Sequence, residues 1–127
     1  MNEKSLMSHD GIELRYAVSD IKEGKPWIAL IFPFGLKIEL ARNFFEFFNP
    51  HYNIVVWETR SILEGTNRSV QENEFAIENH LFDMHSVLST CPSKKFIVVG
   101  YCSGAGLALA AANRYPNIIE LLVLVHG

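Results

Sequence analysis

Four largely apolar runs are separated along the chain by segments whose apolar positions recur at helical spacing. A continuous apolar run predicts a strand that is covered on both faces, as in the interior of a parallel sheet. Apolar residues three or four positions apart predict a helix with one buried face. The predicted strands span residues 27–32, 53–57, 96–99 and 119–125, and the predicted helices span residues 39–48, 72–88 and 104–115.

The N-terminal segment carries a different pattern. Asp10-Gly11 separates two extended stretches, one around Leu6 and one at residues 12–18. Because Asp-Gly readily supplies the positive φ angles of a two-residue loop, this segment predicts an antiparallel hairpin. Strands then alternate with helices, so the fold class is α/β: a mostly parallel sheet with an N-terminal antiparallel hairpin and helices on both faces.

The second predicted helix follows a polar loop at residues 60–69. His80 and His85 lie five positions apart on this helix, whereas two ligands on one helical face need a spacing of three or four. We therefore expect both imidazoles to be solvated, and we predict neither a metal site nor a cofactor. The apolar stripe of the helix comprises Phe75, Leu81, Phe82, Met84 and Leu88.

Length and composition are those of one globular domain, residues 1–127. The net charge is −3 and the basic residues are scattered, which argues against nucleic acid or an anionic membrane as partner. No secretory segment is recognisable, and no apolar run approaches the about 18 residues that cross a bilayer. Cys91 and Cys102 flank one predicted strand, beyond disulfide reach, so a cytoplasmic location is expected.

Candidate chemistry concentrates in one segment, Gly100-Tyr101-Cys102-Ser103-Gly104, between a predicted strand and a predicted helix. The pattern Gly-x-nucleophile-x-Gly in this context is typical of a nucleophile elbow, a strained turn that only small residues can flank. Cys102 fits the nucleophile position. The alternative, Ser103 as nucleophile, puts the Tyr101 ring in a crowded flanking position and fits less well.

Two properties of the position support a reactive Cys102. The positive end of a helix dipole favours the thiolate, which is the reactive form. The backbone N–H of Ser103 would also form half of an oxyanion hole. The competing interpretation treats Cys102 as a small buried apolar residue, the usual fate of a free cysteine. Cys91 lacks the strand–turn–helix context and is expected to be inert.

The order of elements resembles the front part of the α/β-hydrolase superfamily, truncated after about its sixth strand. The elbow is similar to the Gly-Tyr-Cys-x-Gly elbows of dienelactone hydrolases and, more loosely, to those of polyhydroxyalkanoate synthases and thioesterase-like members. The resemblance places the second oxyanion donor after the third strand, where Phe32-Pro33-Phe34-Gly35 replaces the common His-Gly-x-Gly. It implies that the backbone N–H of Phe34 is this donor and that its side chain matters little.

In this superfamily, the catalytic acid and histidine follow the nucleophile. After Cys102, the sequence has one glutamate, Glu120, and one histidine, His126. His126 lies on the side of the elbow, either as a modulator of the site or as a terminal residue without a catalytic part. Glu58, after the second parallel strand, either stabilises its loop together with Arg60 or modulates the thiol.

The last predicted strand is apolar on both faces, and an uncovered strand of this kind invites pairing with another strand. We expect another chain or a missing C-terminal segment to pair with it. Two functions fit the sequence. The first is a Cys-nucleophile acyl hydrolase or acyltransferase for a small thioester, ester or lactone, incomplete as an isolated chain. The second is a non-catalytic binding domain that another chain completes.

Overall fold

The computed structural model of the protein describes residues 1–60 and 76–125. Within these ranges, strands and helices follow one another in the order that the apolar pattern predicts. The elements are β1 (Asn2–Met7), β2 (Glu13–Val18), β3 (Trp27–Ile31), a 3₁₀ helix (Ile38–Ala41), α1 (Arg42–Phe48), β4 (Asn53–Trp57), α2 (Ile77–Leu88), β5 (Phe96–Tyr101), α3 (Gly104–Arg114) and β6 (Ile119–Val125).

These strands form one sheet in the order β1-β2-β4-β3-β5-β6. The hairpin β1–β2 is antiparallel, and β2 also pairs antiparallel with β4. The neighbouring pairs β4–β3, β3–β5 and β5–β6 are parallel. In the middle pair, Ile31 of β3 lies opposite Gly100 of β5. The predicted α/β class, with a mostly parallel sheet and an antiparallel N-terminal hairpin, is confirmed. Because β3 and β5 are parallel neighbours, the loops that leave their carboxyl ends start side by side.

The core lies on both faces of this sheet, and the alternation of side chains along each strand divides it. Odd-numbered residues of β3 face helices α2 and α3. Even-numbered residues of the same strand face the 3₁₀ helix and α1. Helices on both faces are therefore confirmed, and they explain why the parallel strands read as continuous apolar runs.

The hairpin loop is wider than the predicted two-residue turn. The last pair of the ladder is Met7 with Glu13. Inside it, the N–H of Gly11 donates to the carbonyl of Ser8 at 3.0 Å. Gly11 has a φ of +81°, whereas Asp10 is not left-handed. The predicted loop length was wrong because a helical-type turn that ends in one left-handed glycine closes a hairpin equally well.

The segment predicted as one helix over residues 39–48 is divided in the structure. Its first turn is the 3₁₀ helix, in which Ile38 and Ala41 are both buried. Because side chains three positions apart lie on the same side of a 3₁₀ turn, Ile38 and Ala41 both pack against the sheet. α3 ends at Arg114 because Tyr115 precedes Pro116, which disfavours helical backbone before it; Tyr115 has φ −128° and ψ 57°.

α2 begins at Ile77 in the structure. The predicted start at residue 72, Phe75 of the predicted stripe and the polar loop beyond Arg60 lie outside the described residues. Phe82, predicted to belong to the buried stripe, is exposed. Among the helices of the described ranges, none combines the length and apolarity that crossing a bilayer requires.

Candidate active site

Cys102 lies at the turn between β5 and α3. Its φ of +55° is left-handed, the single such value among the non-glycine residues that the structure describes. This conformation costs a residue with a Cβ roughly 1–2 kcal/mol, and strain of this kind concentrates at functional sites. The Cys102 side chain is exposed, so its interpretation as a buried apolar residue was wrong. That description fits Cys91, where burial raises the pKa of the thiol to about 11.

The two glycines that flank this turn are required by close packing. A Cβ at Gly100 would lie 2.7 Å from the Cβ of Ala108 and 2.8 Å from the Cα of Ala105. A Cβ at Gly104 would overlap the carbonyl oxygen of Ile31 and lie 2.9 Å from its carbonyl carbon. The strand that enters the turn and the helix that leaves it therefore approach more closely than any larger residue allows.

Hydrogen bonds on both sides hold the backbone of this turn. The N–H of Cys102 donates to the carbonyl of Val125, in β6, at 2.8 Å. The carbonyl of Cys102 accepts from the N–H of Ala105 at 3.0 Å. Ser103 follows as the N-cap residue of α3, so its N–H lies at the end of the helix where donors lack intrahelical partners. The exposed thiol thus stands on a fixed backbone beside a helix N-terminus.

The loop after β3 brings the second predicted oxyanion donor to this turn. The backbone N–H of Phe34 donates to Oγ of Ser103 at 3.1 Å. A second contact fixes the loop, because the N–H of Gly35 donates to Oγ1 of Thr59 at 3.0 Å. Gly35 has a φ of +82°, which a residue with a side chain rarely adopts. Phe34 and Ser103, which the resemblance implies act together through their backbone amides, are in contact across the two loops through the Ser103 hydroxyl.

The side chain of Phe34 has a partner that the sequence did not predict. Its ring stacks on the imidazole of His80, with 4.8 Å between centroids and 12° between planes. His80 is 4% exposed, so the expectation that it is solvated was wrong, whereas His85 is exposed as predicted. The Phe34 side chain, which the resemblance implies matters little, connects the loop to α2 through this stack.

Burial also sets the charge of His80. Desolvation lowers the pKa of its imidazole from the usual 6.5. The nearby carboxylate of Asp83 acts in the opposite direction, and the guanidinium of Arg60 acts with desolvation. The ring that supports Phe34 is therefore neutral at pH 7.

Glu58 is buried at the carboxyl end of β4. Its carboxylate binds groups other than the thiol of Cys102. Oε2 accepts from the backbone N–H of Ile38 and from Nη1 of Arg15, both at 3.0 Å. Arg15 in turn pairs with the exposed Glu39 at 2.8 Å. These contacts tie β4 to β2 and to the 3₁₀ helix, so Glu58 has structural partners other than the predicted Arg60.

Arg60 pairs with two aspartates and not with Glu58, the partner suggested by the sequence. Its Nε and Nη2 donate to the two carboxylate oxygens of Asp83 at 2.8 and 3.0 Å. Its Nη1 donates to Asp10 at 2.5 Å, and this hydrogen bond lowers the pKa of the Asp10 carboxyl. Ser8 donates to Asp83 as well. A charged residue on the apolar face of the predicted helix, Asp83, was the signal in the sequence for this buried cluster.

The remaining predicted site residue, His126, lies outside the described residues. Over residues 1–60 and 76–125, no cluster of three or more His, Cys, Asp and Glu side chains is arranged to hold a metal ion. Within the same ranges, no imidazole is hydrogen-bonded to Cys102. The described site therefore consists of the thiol, the two amides and the stacked pair behind them.

Solved structures that share this fold include α/β hydrolases. A hydrolase from Pseudomonas aeruginosa superposes with a TM-score of 0.80 at 22% identity, covering 97% of this chain and 45% of that one. An α/β hydrolase from Novosphingobium aromaticivorans gives a TM-score of 0.82 at 15% identity, covering 97% and 43%. The class of protein is therefore an α/β-hydrolase fold, and this chain spans less than half of the length of these structures.

The family follows from the sequence of the second half. The model of the dienelactone hydrolase family matches residues 58–127, which include Cys102 and both flanking glycines. The chain belongs to the dienelactone hydrolase family. It is also similar to an L-allo-isoleucyltransferase of Pseudomonas savastanoi, with 28% identity over 100 residues, which cover 79% of this chain and 34% of that protein.

Proposed function

We propose that Cys102 is the nucleophile of an acyl hydrolase or acyltransferase. The observation that carries the proposal is its position: an exposed thiol on a left-handed residue, beside the backbone amides of Phe34 and Ser103. The substrate class is a thioester, an activated ester or a lactone. Such carbonyls suit a thiolate, which attacks without a strong base.

The reaction would begin when the sulfur of Cys102 attacks the carbonyl carbon. The carbonyl oxygen becomes an oxyanion, which the N–H groups of Phe34 and Ser103 would bind. In the resting protein the Phe34 amide is bonded to Oγ of Ser103. This hydroxyl must therefore rotate away as the oxyanion takes its place. Each such donor is typically worth about 3 kcal/mol of the barrier.

The tetrahedral intermediate then collapses. The bond from carbon to the leaving alcohol or thiol breaks, the leaving group departs with the electron pair, and a thioester on Cys102 remains. Water completes a hydrolysis and another nucleophile completes a transfer. The similarity to an enzyme named as a transferase supports keeping both outcomes within the proposal. No histidine of the described residues is hydrogen-bonded to the thiol. We therefore assign proton transfer in the second step to a histidine outside these residues.

Acylation by p-nitrophenyl acetate tests this proposal. We expect about one equivalent of p-nitrophenolate in a burst and an acetyl group on Cys102, located by mass spectrometry of peptides. The second-order rate constant should exceed that of N-acetylcysteine at the same pH at least about tenfold, since amide donors stabilise the oxyanion. Cys91 is an internal control, because burial and a pKa of about 11 keep its thiolate scarce at pH 7.

Two results would contradict the proposal. The first is a rate constant for Cys102 that does not exceed that of the free thiol. The second is a Cys102→Ala protein that releases p-nitrophenolate as fast as the unaltered chain. Either result would favour the second function considered from the sequence, a binding domain that keeps the turn without its chemistry.

A further inference from the structure

Phe34 is held on two sides in the structure. Its N–H donates to Oγ of Ser103 at 3.1 Å, and its ring stacks on His80 at 4.8 Å. Phe34 is 45% exposed, whereas His80 is 4% exposed. An exposed loop residue is therefore supported by a buried residue of a helix. Because the ring is stacked, the backbone N–H of Phe34 can change direction less easily than it could in a loop without this contact.

The position of His80 is itself fixed by α2. Three residues further along this helix, on the same face, the carboxylate of Asp83 binds Arg60 through both of its oxygens. Arg60 and Asp83 are buried, and paired hydrogen bonds between a guanidinium and a carboxylate allow little angular freedom. This pair holds α2 against the end of β4. The imidazole is thus placed by rigid elements and not by its own loop.

We propose that His80 is a positioning residue for the oxyanion donor Phe34. Its imidazole is the surface on which the Phe34 ring lies, and the stack sets the direction of the Phe34 N–H. The proposal rests on the proposed function, because it takes this amide to be an oxyanion donor. Such a donor works only within about 2.7–3.1 Å of the oxyanion, so a small displacement of the loop weakens it.

Substitutions on either side of the stack separate its role from that of the backbone. His80→Leu and Phe34→Leu both remove the stack and leave the Phe34 amide in the chain. His80→Phe and Phe34→Tyr keep an aromatic pair. His85→Leu is the matched control, because His85 is an exposed histidine of the same helix. If His80→Leu fails to fold, Phe34→Leu still tests the stack, since the Phe34 side chain is largely exposed.

The first measurement follows the Phe34 amide directly and needs no activity. We expect hydrogen exchange of this N–H, followed by NMR, to become about tenfold faster in both leucine variants, since its bond to Ser103 opens more often. His80→Phe, Phe34→Tyr and His85→Leu should keep the exchange rate of the unaltered chain. Ser103→Ala removes the acceptor and serves as the positive control. Unchanged exchange in the leucine variants would overturn the positioning role.

The second measurement compares two reactions of Cys102. Acylation by p-nitrophenyl acetate passes through an oxyanion, whereas alkylation by iodoacetamide displaces iodide at a saturated carbon and forms none. We expect the ratio of the acylation rate to the alkylation rate to fall about tenfold in both leucine variants. His80→Phe and the His85→Leu control should retain the ratio. Faster amide exchange with an unchanged ratio would support the positioning by His80 and contradict the oxyanion role in the proposed function.

Discussion

Gly104 and Gly106 lie two positions apart in the first turn of α3, in opposite surroundings. A Cβ at Gly104 would overlap the backbone of Ile31, whereas a Cβ at Gly106 would have nothing within 4 Å. We expect Gly104→Ala to lower the free energy of unfolding by about 2 kcal/mol or more, because backbone atoms must move. Gly106→Ala should raise it by roughly 0.5–1 kcal/mol, the gain of alanine over glycine in a helix.

Urea unfolding of both variants measures the difference. The pair is matched in substitution and in helix. Equal effects of the two substitutions would show that the close approach of α3 to β3 is not needed for the turn.

The strained backbone at Cys102 predicts that replacing this residue with glycine stabilises the protein while removing the reactive thiol. Cys102→Gly should raise the free energy of unfolding by roughly 0.5–1 kcal/mol, since glycine adopts a φ of +55° without steric cost. Cys102→Ala removes the same thiol but keeps a Cβ, so it should bring no such gain. Thermal and urea unfolding of the two variants decide this. A glycine variant no more stable than the alanine variant would show that the turn is unstrained.

At the scale of elements, a buried ion cluster joins three parts of the fold. Arg60 after β4 binds Asp83 of α2 and Asp10 of the hairpin loop. Arg60→Met leaves the buried carboxylate of Asp83 without its cation and should cost about 3–5 kcal/mol of unfolding free energy. Adding Asp83→Leu should recover part of this loss, because the uncompensated charge is then gone.

The control for this experiment is an exposed ion pair. Glu39→Gln breaks the contact of Glu39 with Arg15, in which both side chains are partly exposed, and should change stability by less than about 1 kcal/mol. Urea unfolding at neutral pH measures all three variants. A double variant less stable than Arg60→Met would show that the aspartate contributes through more than its charge.

His80 makes the stability of α2 depend on pH. Its pKa is lowered in the folded protein, so the folded state binds fewer protons than the unfolded state as pH falls below about 6.5. The contribution of neutral His80 to the free energy of unfolding is therefore complete above this pH. It is lost as pH falls through the pKa of His80 in the folded protein. His80→Phe should flatten the fall in unfolding free energy between about pH 7 and pH 5. The contribution of Asp10 is lost at lower pH, below its usual 3.8.

His85→Phe is the matched control for the titration. It should keep the slope of the unaltered chain, because His85 is exposed on the same helix. A slope that survives His80→Phe would place the pH dependence in another group.

At the scale of the whole molecule, the two ends of the sheet differ in character. β1 carries charged residues, including Glu3 and Lys4, which oppose pairing with another strand. β6 is apolar from Leu121 to Val125, and Leu121 and Leu124 are exposed. An apolar strand at a sheet end favours association. The 127-residue chain should therefore associate through β6.

Leu121→Lys should reduce this association and change the free energy of unfolding by less than about 0.5 kcal/mol, as exposed sites usually do. Met7→Lys, at an exposed position of β1, should leave association unchanged. Sedimentation velocity over a concentration series measures both variants. A chain that stays monomeric throughout the series would contradict the prediction.

The sheet could be predicted because its strands are local features of the sequence. Residues 53–57 and 119–125 were predicted as strands with the bounds that β4 and β6 have. β4 is buried along its length, and a strand covered on both faces reads as a nearly continuous apolar run that is visible without knowing its neighbours. The glycines of the turn were predictable for the same reason, since their spacing around Cys102 is local.

The position of β1–β2 and the length of its loop show the limit of local patterns. An Asp-Gly pair permits several loops, and the pairing of Met7 with Glu13 selects among them. The 3₁₀ turn before α1 depends likewise on where Ile38 meets the sheet.

From the sequence alone follow the α/β class and the glycine-flanked turn at Cys102, because each depends on short segments and on the order of strands. Tertiary structure decided that His80 is buried under Phe34 and that Arg60 binds Asp10 and Asp83. The Phe34 and Ser103 contact joins residues 69 positions apart, and the Arg60 and Asp10 contact spans 50. Side chains so far apart meet only after the sheet has formed, so no local pattern records which of them will pair.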